Sequence, residues 1–259
     1  MAKSWAKFPY PDKKFTYTAA ALKKAWDSLH KGDAEPWPKE DAAVEAWIAF
    51  HAGDFQRAND LGVKAGGAAL TAANKAQAIY ANYLEEDEKK KLALLEEVAE
   101  RALAQQKKDP KSANAFYWQA YALGRYGQGI SIAKALARGI GSQVKNALDT
   151  TLKLAPKHAD ANIASGSYHA EIIDKVGALI GGVTYGAKKE IGLKHFETAL
   201  KLNPDSAIAR IEYANGLAML EGKKALAKAE KLYEEAAACE PHDAMEKLDV
   251  ELAKAELED

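Results

Sequence analysis

The sequence predicts an all-α repeat protein, and three observations predict it. Alanine, leucine, lysine and glutamate dominate while β-branched residues are sparse, so helix propensity rather than strand packing sets local structure. Four prolines each close a similar phrase: Gln106-Lys-Lys-Asp-Pro110, Leu152-Lys-Leu-Ala-Pro156, Leu200-Lys-Leu-Asn-Pro204 and Ala237-Ala-Cys-Glu-Pro241. Small residues then recur in register as Ala113-x-Ala115-x4-Ala120, Ala159-x-Ala161-x4-Gly166 and Ala207-x-Ala209-x4-Ala214. Proline just past a helix end stops that helix, and small side chains let neighbouring helices approach. With 48% hydrophobic and 28% charged residues the chain has material for both a core and a solvated surface.

From the N-terminus, Phe8-Pro-Tyr-Pro11 and Glu35-Pro-Trp-Pro38 cannot be helical throughout, because proline and its predecessor favour extended geometry. They read as a strap and a linker. Apolar periodicity places helices at 16–31, 39–52, 55–66, 70–85, 88–107, 112–126, 142–154, 159–175, 189–202, 206–220, 224–238 and 243–257. The last opens on Asp243 as a helix cap and shows one apolar face, as a terminal capping helix should.

The second helices carry a signature. Gly192-x3-Phe196-x2-Ala199-x4-Pro204 and Ala229-x3-Tyr233-x2-Ala236-x4-Pro241 share it, and Ala46-x2-Ala49-x3-Gly53-Asp54-Phe55-x2-Ala58-x6-Ala65 is an earlier unit turning at Gly53-Asp54. This pattern resembles the tetratricopeptide repeat. The resemblance implies an α-solenoid of about five helix pairs, since one pair cannot bury its apolar face alone. A single array over 1–259 is expected: strap and first helix to 38, N-terminal repeats at 39–110, two enlarged repeats at 111–204, and a last repeat with its cap at 205–259.

The enlarged repeats come from the proline spacings of 46 and 48, against 37 for the last pair and about 34 in an ordinary unit. Two inserts, 126–142 and 176–189, fall between the first and second helix of their pairs. Both are glycine-rich and apolar, where a solvated loop would be polar. Ile130, Ile132, Leu136, Ile140, Leu179, Ile180, Val183 and Tyr185 are therefore expected to bury. They do so either as short helices folded over the repeats or as a lining for an apolar ligand or a partner surface, with Ile132, Leu136, Leu179, Ile180 and Tyr185 the lining residues. Over about 112–241, on Tyr117-Trp-Gln-Ala-Tyr-Ala-Leu-Gly-Arg-Tyr-Gly127 and Tyr185-Gly186, the enlarged units resemble the T component associated with TRAP-type transporters. More loosely they are similar to regulators of microtubule dynamics. The transporter resemblance implies a periplasmic lipoprotein, and the chain departs from it in having neither leader nor lipobox cysteine.

Several classes are excluded. A net charge of -1 gives no basic field for nucleic acid, although residues 111–202 carry 12 basic and 6 acidic groups and 203–259 carry 7 and 14. Cys239 is the lone cysteine, so no intrachain disulfide or thiolate cluster can form, and the six histidines include no close ligand pair. No cofactor or metal is expected. Gly124-Arg-Tyr-Gly-Gln-Gly129 follows no strand, and 177–189 lacks the lysine-hydroxyl ending of a phosphate loop. His169 sits near Glu171 and Asp174, but Glu171 and Lys175 read as an ordinary surface pair and catalysis has no positive support. No apolar run of about 18 residues spans a membrane, and Met1–Pro9 lacks the apolar stretch of a leader. The expected compartment is the cytoplasm, or the periplasm if a leader has been removed.

Function is therefore expected to be binding rather than catalysis. The resemblance to tetratricopeptide repeats implies that first helices line a concave face, at Asn114, Tyr117, Tyr121 and Arg125, then Asp160, Ile163, Ser167 and Glu171, then Ile208, Ile211, Asn215 and Met219. That mixture suits an extended peptide, a partner helix or an amphipathic ligand better than nucleic acid, and the expected partner is a protein or peptide. Arg125 is a candidate carboxylate ligand or a partner for Glu171. The alternative is a carrier or transporter-accessory protein that holds an apolar small molecule between the inserts.

Overall fold

A computed structural model describes residues 4–258. Met1, Ala2 and Lys3, part of the stretch read for a leader, and Asp259 lie outside the described residues. All twelve expected helices form, each end within three residues of expectation, and no strand occurs among the described residues. Two additional short helices occupy the inserts. The chain divides into two compact units, Met1–His30 with Glu35–Ser131 and His242–Met245, and Lys31–Ala34 with Ile132–Pro241 and Glu246–Asp259.

The first unit contains α1 (Ala19–Leu29), α2 (Asp41–His51), α3 (Phe55–Ala65), α4 (Ala69–Tyr83), α5 (Glu88–Lys108) and α6 (Ala113–Gln128). Thr18, Asp54, Asp87 and Ser112 cap α1, α3, α5 and α6, their side-chain oxygens accepting from the amides of Ala21, Arg57, Lys90 and Ala115. Each cap contributes about 1 kcal/mol relative to alanine. Gly53, at φ 83°, makes the α2–α3 turn, and the Phe8 ring of the strap fills the space its missing side chain leaves. Phe8 also lies 6.2 Å from Phe55 and 6.4 Å from Phe15, so aromatic packing fixes the strap.

Helix α4 is buried almost all round, being packed by α2 and α3 and by α5 and α6. Its polar residues are matched inside the protein. Arg101 of α5 donates to Asn74 at 2.6 Å and Gln77 at 3.0 Å, Asn74 donates to Gln105 at 3.0 Å, and Gln105 donates to Thr71 at 3.2 Å. Burying amides without such partners would cost about 1–3 kcal/mol each. Lys75 is 2% exposed, its ammonium 5.1 Å from the Phe50 ring, 5.7 Å from Trp47 and 6.0 Å from Trp118.

The second unit contains α7 (Ile132–Ala137), α8 (Ile140–Leu154), α9 (Ala159–Val176), α10 (Ala178–Tyr185), α11 (Lys189–Leu202), α12 (Ala207–Glu221), α13 (Leu226–Ala237) and most of α14 (Ala244–Glu258). Phe196, wholly buried on α11, is its central wedge. A side chain at Gly166 of α9 would come within 2.7 Å of the Phe196 ring, and one at Gly216 of α12 within 2.4 Å. The small residues of the repeat thus admit an aromatic ring from the second helix, not only a neighbouring backbone. Tyr213 stacks on Phe196 at 5.2 Å, and Leu217, Ala229 and Leu232 complete the cluster. Ile211, Ala236, Val250 and Ala253 tie α14 to α12 and α13.

The inserts form short helices, but the expected burial of their large side chains is corrected. Ile140 is buried and Tyr185 half-buried, whereas Ile132, Leu136, Leu179, Ile180 and Val183 are 47%, 48%, 81%, 57% and 83% exposed. The physical reason lies in which residues face the body. In α10 that position is taken by Gly181, packed on Ile172 and Ala187, so the bulky residues are left facing outward.

Candidate functional site

The candidate face is built from first helices, and within each unit it can be followed residue by residue. On α6 the Nδ2 amide of Asn114 donates to Glu35, and Asn114 is buried at 3% exposure. Tyr117 is also buried, edge-on to Trp118 at 4.9 Å. Further along, Tyr121 and Arg125 are half-exposed, with the Arg125 guanidinium 5.4 Å above the Tyr121 ring and donating to Gln128 at 3.2 Å. The expectation that Asn114 and Tyr117 offer their side chains to a ligand is thus corrected. The linker residue Glu35 covers the first, and packing against the Trp118 ring buries the second.

In the second unit Asp160 opens α9 half-exposed, and its amide donates to the Gly32 carbonyl at 3.0 Å. Ile163 is buried with Ala199 and Ala209. Ser167 donates to Glu212 of α12 at 2.8 Å, and Glu171 accepts from Lys175 at 3.1 Å. On α12 Ile208 is half-buried against two core clusters and Ile211 is 2% exposed. Asn215 accepts from the Tyr233 hydroxyl at 2.6 Å, and Met219 is 40% exposed. Ile163 and Ile211 are therefore core residues, because they sit where α9 and α12 pack on the second helices of their pairs.

What remains accessible is a strip of Ser167, Glu171, Glu212, Asn215 and Met219, with the outer edges of Asp160 and Ile208. Glu212 is not among the residues expected from the register. It lies one turn before the expected position on α12, and the signal that could have found it is the tilt of packed helices, which pairs Ser167 with the preceding turn. Two carboxylates, Glu171 and Glu212, lie on the strip. Burial first, then Glu256 and Glu212 across from it, push the Tyr233 phenol up to about 12.

His169 lies beneath this strip rather than on it. Its Nδ1 accepts from the Lys188 amide at 3.2 Å and its ring stacks on His195 at 5.9 Å, while His195 meets Asn162 at 2.9 Å. Burial, then His195 nearby, hold His169 down to about 4. A neutral imidazole with one nitrogen already committed is a packed side chain, not a general base. Among the described residues no group of three or more His, Cys, Asp or Glu side chains is placed to hold a metal ion. No helix among them is long and apolar enough to cross a membrane.

Successive packed helix pairs, with the Phe196 ring of the second helix α11 received by Gly166 of the first helix α9 and Gly216 of α12, define the tetratricopeptide-like class of α-solenoid. A solved structure agrees. The chain is similar to TTC0263, a thermophilic TPR protein from Thermus thermophilus, at 17% identity and a TM-score of 0.57, over 83% of this chain and 98% of that one. No family model matches the chain, and no curated protein matches it in sequence. The likeness establishes the repeat fold and does not extend to transporter T components or microtubule regulators.

Proposed function

We propose that this protein is a non-catalytic scaffold that holds a protein segment against its first helices, in the cytoplasm. The observation that carries the reading is the strip on α9 and α12. There Ser167, Glu171, Glu212 and Asn215 offer oxygen acceptors beside the apolar Met219 and Ile208, with the side chains fixed by Ser167–Glu212 and Tyr233–Asn215 hydrogen bonds. Fixed acceptors flanked by apolar patches recognise an extended or helical polypeptide with lysine, arginine or amide donors. Within the first unit, Tyr121 and Arg125 of α6 are by themselves of the residue types that carry most energy at protein interfaces.

The test is a pull-down and titration with the full chain. Tyr121→Ala with Asn215→Ala is expected to weaken capture about ten-fold while circular dichroism stays helical. Unchanged capture by that double variant contradicts the reading. The carrier alternative gains no support from the inserts, whose Leu179 and Val183 face solvent at 81% and 83% exposure rather than enclosing a space.

A further inference from the structure

The N-terminal strap is held the way a bound peptide is held. Residues 4–11 form neither helix nor strand, and among them only Trp5 and Phe8 are covered while the other side chains are exposed. Trp5 stacks on Tyr80 of α4 at 4.3 Å with the rings 13° from parallel. Phe8 fills the space beside Gly53 and meets the Phe55 ring edge-on at 6.2 Å. The two rings are three residues apart, a spacing that an extended chain of three residues per turn sets on one face. Pro9 and Pro11 restrict the segment to extended geometry, so little freedom is lost when it docks.

Side chains of the repeats read its backbone. The Trp5 amide donates to Gln56 Oε1 at 3.0 Å, and the same oxygen accepts from Ser4 Oγ at 3.3 Å. The Ala6 amide donates to the Tyr80 hydroxyl at 3.2 Å. That hydroxyl gives its own proton to Glu85 Oε2 at 3.1 Å, and Glu85 Oε1 accepts from the Asp87 amide at 3.0 Å. The lone pair facing the strap is therefore fixed by the turn between α4 and α5. Two consecutive amides and two rings three residues apart amount to recognition of a pattern, with backbone bonds for affinity and ring sites for selectivity.

We propose that Gly53, Phe55, Gln56 and Tyr80 form a second polypeptide-binding site, which the chain's own strap occupies as an autoinhibitory ligand and which opens to a partner's extended segment of the pattern aromatic-x2-aromatic-Pro. The strap itself supplies the chemistry of that occupant. Joined to the body at α1, it competes at an effective concentration on the order of millimolar, so the site yields to a segment that presents the same two rings and donates at the same two amides. All of these groups belong to the first unit, and the site is independent of the strip on α9 and α12, which belongs to the second.

The test uses a fluorescently labelled peptide, Ser-Trp-Ala-Lys-Phe-Pro-Tyr-Pro, which repeats residues 4–11. It is titrated against the full chain and against full-length Trp5→Ala and Trp5→Ala/Phe8→Ala variants. Binding to the double variant is expected to be at least about ten-fold tighter than to the unaltered chain, because the tethered competitor is gone. Unlabelled peptide should raise that variant's thermal midpoint towards the unaltered value. Should the double variant not fold, Trp5→Ala alone makes the same comparison, since its ring is only half-buried. Adding Gln56→Ala and Tyr80→Phe, which removes both amide acceptors and keeps the stacking ring, should weaken peptide binding about ten-fold. A peptide with alanine at both aromatic positions should not bind. Equal binding to the unaltered chain and the strap variants, or no binding to either variant, overturns the proposal. A dimer of the unaltered chain in light scattering that Trp5→Ala/Phe8→Ala converts to monomer assigns the site to the strap of a second copy and also overturns it.

Discussion

His51 and Asp243, 192 residues apart in sequence, meet at 2.7 Å with side chains 0% and 2% exposed. The residue read from sequence as the cap of the last helix thus also has a partner at the end of α2, within one compact unit. A carboxylate at such a site cannot be left alone without a large desolvation cost.

Replacing Asp243 by alanine is therefore expected to lower stability by about 3 kcal/mol, and Asp243→Asn, which keeps an acceptor, by less. Urea unfolding followed by circular dichroism measures both. An unchanged midpoint for the alanine variant would show that the pair carries no stability.

The Phe196 wedge makes a paired prediction about glycines. Gly216→Ala should cost about 1–3 kcal/mol, because the new Cβ would lie 2.4 Å from the ring, and Phe196→Ala about 3–5 kcal/mol through the cavity left behind. Gly124→Ala on α6 meets nothing within 4 Å and should stabilise by about 0.5–1 kcal/mol. Thermal melts that rank the three variants otherwise would contradict the packing described.

Stability should also depend on pH through His169. Its folded value, held down to about 4 by burial and by His195, lies below the ordinary 6.5. Between those values the unfolded chain binds more protons, so stability falls as pH drops from 6.5 towards 4 and is flat above 6.5 on this account. The loss is on the order of 1–2 kcal/mol once residual solvent screening is discounted. His169→Gln should flatten that part of the curve, and an unaltered slope would locate the proton uptake elsewhere.

Much of the architecture was legible because it is written in local patterns. Proline stops, capping side chains and the 3.6-residue period marked out twelve helices, and the Phe196 and Tyr233 positions marked second helices. The face was less legible, since sequence register says which way a side chain starts and not what covers it. Asn114 satisfied the register but lies under Glu35, and Ile163 and Ile211 point at neighbouring helices. The inserts misled for a different reason. Apolar composition argues for burial only when the large residues, rather than Gly181, face the body.

Site-specific photocrosslinking compares the two sides of one helix pair most directly. A photoreactive residue at Met219, 40% exposed on the first-helix face, should give a covalent adduct with a polypeptide in host cells. The same residue at Ala227, exposed on α13, should give none. Adducts of equal yield from both positions, or none from Met219, would contradict a binding face on the first helices.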